Sequence, residues 1–413
     1  MPPSQDSTSR SPCFSGSQTN GSRHGKKLIE PRLFSTDRTP SLNDFKKLVA
    51  HSQAHRYPLA STIEQNVPVY DLPAFALLNT DERSAYQDEW YHILLSGPGV
   101  FVTKGLYKDM ALIDRVNTVY SSIIAEEKRS SRTGGDHFAT SGANDRIWNA
   151  FSKHCLADPA SFFEYYSNPW LPTISAAWLG PQHRLTAQVN VVKPGANAQM
   201  PHRDYHFGFQ DYASCAQFPR AVQVASQFLT LQGAVAHSEM PVESGPTRLL
   251  PFSQMFEEGY MAYRMPEFQD FFLGNYVSVP LEKGDGLFFN PALFHAAGQN
   301  DSPDILRSAN LLQISSAFGK PMEMIDTLPL LDLTWDLLSQ QYKRDGLTDT
   351  VNAFVGNVAE GYPFPTNLDR RVPDRAGMAP ESEQALLLKG LGFGWDKSTL
   401  LKEVQKQRDE SKA

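Results

Sequence analysis

The sequence predicts a mainly β core of the sandwich or barrel kind, flanked by helices, in a chain that is α+β overall. Two observations carry that prediction. Between Leu185 and Ser316, short runs of β-type residues are separated by turn signals, Gly and Pro above all, a texture that favours a sandwich or barrel over a parallel α/β sheet. On both sides of this stretch apolar residues recur at helical spacing instead. The chain has 413 residues, 11% aromatic and 20% charged, which allows one elaborate globular domain or two to three smaller ones. A formal net charge of -7 argues against broad electrostatic binding to nucleic acid or an anionic membrane. Cys13, Cys155 and Cys215 stand far apart without a C-x-x-C pair, which excludes a disulfide scaffold or zinc ribbon and fits a reducing compartment. No apolar run approaches a membrane span, and the N-terminus lacks an apolar signal core. A soluble, cytoplasmic protein is expected; the final Ser411-Lys412-Ala413 is a weak match to a peroxisomal address.

Taken in order, residues 1–45 are rich in Ser, Gly, Arg, Thr and Pro. They carry too little apolar surface to offset ordering entropy, so a disordered tail is expected. A short helix is predicted from Leu42 to Ser52 as the main domain opens, over residues 46–320. Thr80–Leu95 reads as a helix, with Asp81 as its cap and Trp90, Tyr91 and Leu94 turned inward. Gly97-Pro98-Gly99 breaks it, and Val100–Thr103 is a short buried strand. A second helix runs from Lys108 to Lys128 with Met110, Ile113, Val116 and Tyr120 on one face. The Gly-, Ser- and Thr-rich loop Ser130–Asn144 is placed to line or cover a site. Pro159–Asn168 and Trp170–Trp178 are helical. The core, over about 185–316, is expected to hold strands at Thr186–Val192, Val222–Leu231, Gly245–Leu250, Asn275–Val279, Gly286–Phe289 and Ala309–Ser316. Residues 321–413 read as a helical C-terminal extension: Met322–Gln341, Leu347–Val355 and, after a Pro- and Asp-rich loop, a surface helix over Glu381–Lys406. There is no internal repeat.

Chemistry concentrates at Met200–His206. His202 and Asp204 are two residues apart, so on an extended backbone an imidazole nitrogen and a carboxylate oxygen project from one face. Alone, H-x-D arises often by chance, and the plain alternative is two polar residues on a loop. His295 changes the balance. It stands just beyond strand-like Leu287–Phe289 and a Pro turn, and Arg307 opens an apolar strand twelve residues later. A turn of that length lets two antiparallel strands bring Arg307 alongside His295. Two histidines and a carboxylate make the facial triad that suits non-haem Fe(II), with positions left open for co-substrate and O2. A guanidinium nearby is a natural clamp for a carboxylate, the alternative for Arg307 being a surface ion pair. His206 continues the alternation, with substrate contact or packing favoured over ligation. Thr247 reads as a turn residue; His237, Trp148 and Phe207 could line a pocket or only pack.

These motifs resemble those of the phytanoyl-CoA dioxygenase family of Fe(II)/2-oxoglutarate oxygenases. The matching features are the H-x-D at His202 and Asp204 and the E-S-G-P-T-R-L-L-P run from Glu243 to Pro251. To these add Gly284-Asp285 before the distal strand, H-A-A-G-Q-N-D-S from His295 leading to Arg307, and V-F-V-T-K-G-L-Y after Gly99. The resemblance covers roughly Val67 to Ser316. It implies a double-stranded β-helix, the jelly-roll or cupin-like arrangement, with His202, Asp204 and His295 as the catalytic Fe(II) ligands. Arg307 would bind the distal carboxylate of 2-oxoglutarate, and Gln188 or Asn190, alternating on the preceding strand, would hydrogen-bond that co-substrate, ordinary strand polarity being the alternative. O2 is the second co-substrate and ascorbate a candidate helper.

The reaction so implied oxidises, most simply hydroxylates, a C–H bond of a small organic or acyl substrate and releases succinate and CO2. A carboxylate at Asp204 argues against chlorination, since a halogenase of this type leaves that position open for chloride. Two departures stand out. Pro251-Phe252-Ser253-Gln254 replaces the family's usual Pro-Gly-Ser-His and is expected to alter a pocket wall, and Asp301-Ser302-Pro303-Asp304 reshapes the turn before Arg307. The rival readings are a non-redox cupin-like hydrolase or isomerase, and a catalytically silent binding protein of the same fold. Arg307 counts against the first, the intact triad against the second. The expected partner is a small-molecule substrate, with no nucleic acid and no membrane; nothing in the sequence sets an oligomeric state.

Overall fold

Two sheets face each other between layers of helices, and the site lies where they part. The computed structural model describes residues 29–50, 57–130, 142–204, 206–373 and 377–413; residues 33–413 form one compact unit. Its strands are β1 (Thr62–Glu64), β2 (Val67–Asp71), β3 (Val100–Lys104), β4 (Asn144–Ile147), β5 (Arg184–Val192), β6 (Thr230–Ala236), β7 (Arg248–Leu250), β8 (Gly286–Phe289), β9 (Phe294–Ala296) and β10 (Arg307–Ser315). Eight of them form one sheet in the order β1-β2-β3-β8-β6-β10-β5-β4, and β7 pairs with β9 in a second. Only β2 and β3 run parallel. Single bridges widen the small sheet on both sides, His202 to His295 and Leu249 to Val277. From β5 onward the chain alternates between the sheets, which is the expected jelly-roll core.

Strand period explains the layering. On β5, Leu185, Ala187 and Val189 enter a cluster with Trp90, Phe151, Tyr166 and Trp335 on the helical side, while Thr186, Gln188 and Asn190, of opposite parity, face inward. Between the sheets, Val102, Leu287 and Phe289 meet Leu249, Val279 and Leu281. Behind the small sheet, the helix Leu42–Val49, capped by Ser41, buries Phe45 with its ring 5.0 Å from that of Phe294. The helices Thr327–Asp345, Asp349–Val358, Glu383–Phe393 and Lys397–Ser411 add Leu330, Trp335, Phe354, Leu387 and Leu400 to the central cluster. The C-terminal segment therefore shares the main core and has none of its own. No helix among the described residues is long and apolar enough to cross a membrane.

Several elements differ from expectation for local reasons. The helix Thr80–Ser96 is capped by Asn79, not Asp81, in a reciprocal box with Glu82, and Tyr91 is 48% exposed. Instead of a strand from Val222, the helix Arg220–Ser226 forms, held by the Gln223 amide on the Cys215 carbonyl. The strand starts at Thr230, where β10 supplies backbone partners. Gly233 allows the close approach there, since a Cβ would lie 2.7 Å from the Phe288 ring. Asn275–Val279 contributes only the bridge at Val277. The helix expected from Met322 begins at Thr327, and the last helix is split at Gly394, which has φ +68. Of the loop Ser130–Asn144, residues 131–141 lie outside the described residues, as does most of the expected tail.

Candidate metal centre

The H-x-D segment runs antiparallel to β9. His202 and His295 exchange backbone hydrogen bonds of 2.9 and 3.0 Å, and the Asp204 amide donates to the Pro291 carbonyl at 3.0 Å. Extended geometry puts His202 and Asp204 on the face that His295 shares, and throws Arg203 to the other side. There its guanidinium is buried and donates to the carbonyls of Ser253 at 2.6 Å and Phe256 at 2.9 Å, between the rings of Tyr260 and Phe294. Gly259 makes room for it: a Cβ would fall 1.8 Å from Arg203 Cζ. The segment is thus pinned from behind. The Pro251-Phe252-Ser253-Gln254 departure supplies this backing, and neither Ser253 nor Gln254 lines the cavity, contrary to the expected effect on a pocket wall.

In front, the ligand atoms of His202, Asp204 and His295 all lie within 4.8 Å of one another. His202 Nε2 is 3.9 Å from Asp204 Oδ1, and His295 Nε2 is 3.7 Å from Asp204 Oδ2. Each imidazole Nδ1 is 2.9 Å from a carbonyl oxygen, that of Met200 or Leu293. A carbonyl only accepts, so Nδ1 carries the proton and the Nε2 lone pair is aimed inward. The Gln232 amide donates to Asp204 Oδ2 at 2.7 Å, and the Tyr260 hydroxyl holds the Asp204 carbonyl at 2.7 Å. Burial pushes the Asp204 carboxyl up, but the imidazoles of His202 and His295 and the Gln232 amide outweigh it and hold the group well below the usual carboxylate range. Burial, with His295 nearby, lowers His202. A neutral imidazole and an ionised carboxylate are the protonation states metal binding requires. Two nitrogens and one oxygen on one side, with open space opposite, fit the donor set of a facial Fe(II) site.

The open side is a cavity of about 1270 Å3, larger than the roughly 300–1,000 Å3 usual for one drug-sized ligand. Arg307 lines it, fixed by Nη1 donating to the carbonyls of Ser244 at 2.9 Å and Gly298 at 3.1 Å. Its remaining donors bond to no described residue, and no described carboxylate pairs with it. Burial, with Arg248 nearby, lowers it to about 10. Two pairs further along the ladder, Asn190 faces Ala309, its Oδ1 buried without a partner. Gln188 lines the cavity too, but its amide is engaged: Arg146 donates to Oε1 at 2.8 Å, and Nε2 points to Met322 Sδ. His206 joins neither the ligand cluster nor the lining. With φ -98 and ψ -27 it has left extended geometry and opens the turn Phe207–Phe209, so the alternation ends at Asp204. Trp148 and Thr247 reach the cavity; Phe207 is buried behind the small sheet, and His237 packs against Tyr165. Arg203, Gln232, Gln313 and Glu323 went unnoticed in the sequence, since none belongs to a spaced motif.

The profile of a family described as phytanoyl-CoA dioxygenase (PhyH) matches residues 76–309, more than half of the chain. This family uses Fe(II) and 2-oxoglutarate. Among curated proteins, dioxygenase andF of Emericella variicolor is 24% identical over 176 residues, 40% of this chain and 56% of that protein. Dioxygenase trt7 of Aspergillus terreus (strain NIH 2624 / FGSC A1156) is 26% identical over 196 residues, 45% of this chain and 57% of that protein. The chain thus spans little more than half the length of the curated relatives it matches. Among solved structures, the non-heme alpha ketoglutarate dependent epimerase SnoN from nogalamycin biosynthesis is 19% identical, with a TM-score of 0.37 over 57% of this chain and 84% of its own. The carbocyclase SnoK from nogalamycin biosynthesis is 18% identical, with a TM-score of 0.41 over 60% of this chain and 87% of its own.

Proposed function

The chain belongs to the phytanoyl-CoA dioxygenase family, and on that premise we propose that it is an Fe(II)- and 2-oxoglutarate-dependent oxygenase acting on a C–H bond of a small organic substrate. One observation carries the reading. The ligand atoms of His202, Asp204 and His295, within 4.8 Å of one another, open onto a cavity that also holds the buried, carboxylate-free guanidinium of Arg307. When bound, Fe(II) supplies O2 activation coupled to oxidative decarboxylation of 2-oxoglutarate to succinate and CO2.

The chain's own residues divide the remaining work. His202 and His295 present Nε2 because carbonyls hold the Nδ1 protons. Asp204 stays ionised, and the Gln232 amide on Oδ2 fixes the orientation of the carboxylate that would hold the metal. Arg307 presents the free part of its fork to the distal carboxylate of the co-substrate, with the Asn190 amide two pairs along the ladder. Met240, Leu281 and Phe289 add apolar lining to the cavity. Hydroxylation is the simplest outcome, because Asp204 fills the position that a halide would need. A hydrolase or isomerase on the same fold has no use for an unpaired buried guanidinium.

The test is anaerobic addition of 2-oxoglutarate to the Fe(II) protein, followed by admission of O2. A weak visible charge-transfer band and then succinate are expected. Lack of both overturns the proposal. His295→Ala should abolish the band, whereas Arg307→Ala should keep metal binding and weaken 2-oxoglutarate by about 100-fold, the loss of a charge-assisted pair.

A further inference from the structure

We propose that Gln313 holds an oxygen function of the substrate beside the metal ligands, and that the substrate is a neutral, largely apolar molecule carrying a hydroxyl or carbonyl near the carbon that is oxidised. The inference deepens the oxygenase reading and rests on it for the identity of the neighbouring centre.

The inner face of β10 presents Arg307, Ala309, Leu311 and Gln313 in one row, all lining the cavity. Arg307 and Gln313 are six residues apart, roughly 20 Å of extended chain at about 3.3 Å per residue. Gln313 is paired directly with Gln232 of β6, whose amide is bonded to Asp204. Directly opposed side chains on one face are near neighbours, so Gln313 borders the metal ligands on the side away from the co-substrate clamp.

Gln313 is 8% exposed, its Oε1 is buried without a partner, and no described residue hydrogen-bonds either end of the amide. Of the other polar groups of this limb, Gln232 Oε1 and Glu323 Oε2 are also buried without a partner, but these offer an acceptor alone, whereas Gln313 has both ends of its amide open. Gln188 is held between Arg146 and Met322, Gln232 is on Asp204, and Glu323 accepts the Asn149 N–H. A buried amide left unpaired is unfavourable, and a ligand oxygen relieves it. An amide donates and accepts, so it suits a hydroxyl or a carbonyl equally. The surrounding wall of Trp148, Phe209, Leu311, Met322 and Met324 suits a hydrocarbon skeleton. Among the described lining residues the cation of this limb is Arg146, which is stacked on Trp148 and donates to Gln188; that is a poor match to the several phosphates of an acyl-CoA.

The test uses the full chain loaded anaerobically with Mn(II) and 2-oxoglutarate, and a graded set of neutral alicyclic probes from adamantane to sterol size. Each probe is offered as alcohol, ketone and parent hydrocarbon, and Kd is measured by equilibrium dialysis. Gln313→Leu should weaken alcohols and ketones about tenfold and leave the hydrocarbons unchanged or tighter. Gln313→Glu keeps an acceptor and loses the donor, so alcohols should hold and ketones weaken. Equal weakening of all three classes, no weakening, or failure of every alcohol and ketone to bind the wild type overturns the assignment. Succinate release by the wild type in O2 is scored separately: without it the oxygenase reading falls, while the dialysis still decides Gln313.

Discussion

Arg203 stands between two metal-ligand candidates and does a different job from either. Its buried guanidinium bonds the carbonyls of Ser253 and Phe256, so the H-x-D segment is held from the face opposite the metal. Arg203→Met keeps the bulk but strands those carbonyls. It is expected to cost about 2–4 kcal/mol of stability and about 10–100-fold in Mn(II) affinity, read by denaturant melts and metal titration. A loss of stability with unchanged metal affinity would confine Arg203 to the fold. Gln232→Leu removes only the bond to Asp204 Oδ2. A tenfold or so loss of metal affinity is expected there, with a melting temperature close to wild type.

Among the elements, the turn that carries Arg307's carbonyl partners is the most tightly constrained. Gly245 has φ +72, and a Cβ on it would lie 2.0 Å from the Gln299 carbonyl oxygen. This contact brings Ser244 and Gly298 together so that one guanidinium nitrogen reaches both carbonyls. Gly245→Ala strains the backbone and pushes the two strands of the turn apart, at a cost of about 1–3 kcal/mol. Because His202, Asp204 and His295 lie elsewhere, 2-oxoglutarate affinity should fall while Mn(II) affinity holds; calorimetric titration of each separates the two. An equal fall in both would mean that the turn supports the whole site rather than the clamp.

On the scale of the whole molecule, buried histidines set the acid limit. Burial lowers His154 and His183 to about 4 and His237 to about 3, against the ordinary 6.5. Each is neutral in the fold and takes up a proton on unfolding below pH 6.5, so its stabilising share is full above that value and is lost as pH falls toward 4 and 3. The histidines' share of the unfolding free energy should be constant above pH 7 and decline below 6.5 by about 1 kcal/mol per pH unit for each. His237→Gln should flatten that slope; an unchanged slope would assign the acid limit to other groups. The C-terminal helices belong to the same scale. Truncation after residue 320 removes Leu330, Trp335, Leu387 and Leu400 from the central cluster, and the truncated chain should lose near-ultraviolet circular dichroism and bind a hydrophobic dye. Native-like spectra would show instead that the segment is dispensable.

Much of the site could be read from spacing. His202 and Asp204 at a separation of two, and β5 and β10 as alternating runs, are local statements, because strand period is a property of the backbone itself. The triad and Arg307 followed from such runs together with family resemblance. His206 marks the limit, since the alternation that recommended it ends where the backbone turns at its own φ of -98 and ψ of -27. What lay beyond the sequence depended on partners distant along the chain. Gly259 makes room for Arg203 across 56 positions, Gly233 yields to Phe288, and Gln232 and Gln313 gain meaning only once β6 and β10 are paired. The sequence by itself determined which residues could chemically hold a metal and a dicarboxylate. Tertiary structure alone decided which polar groups are already bonded and which are left facing the cavity, because hydrogen-bond satisfaction is settled between elements and has no period along the chain.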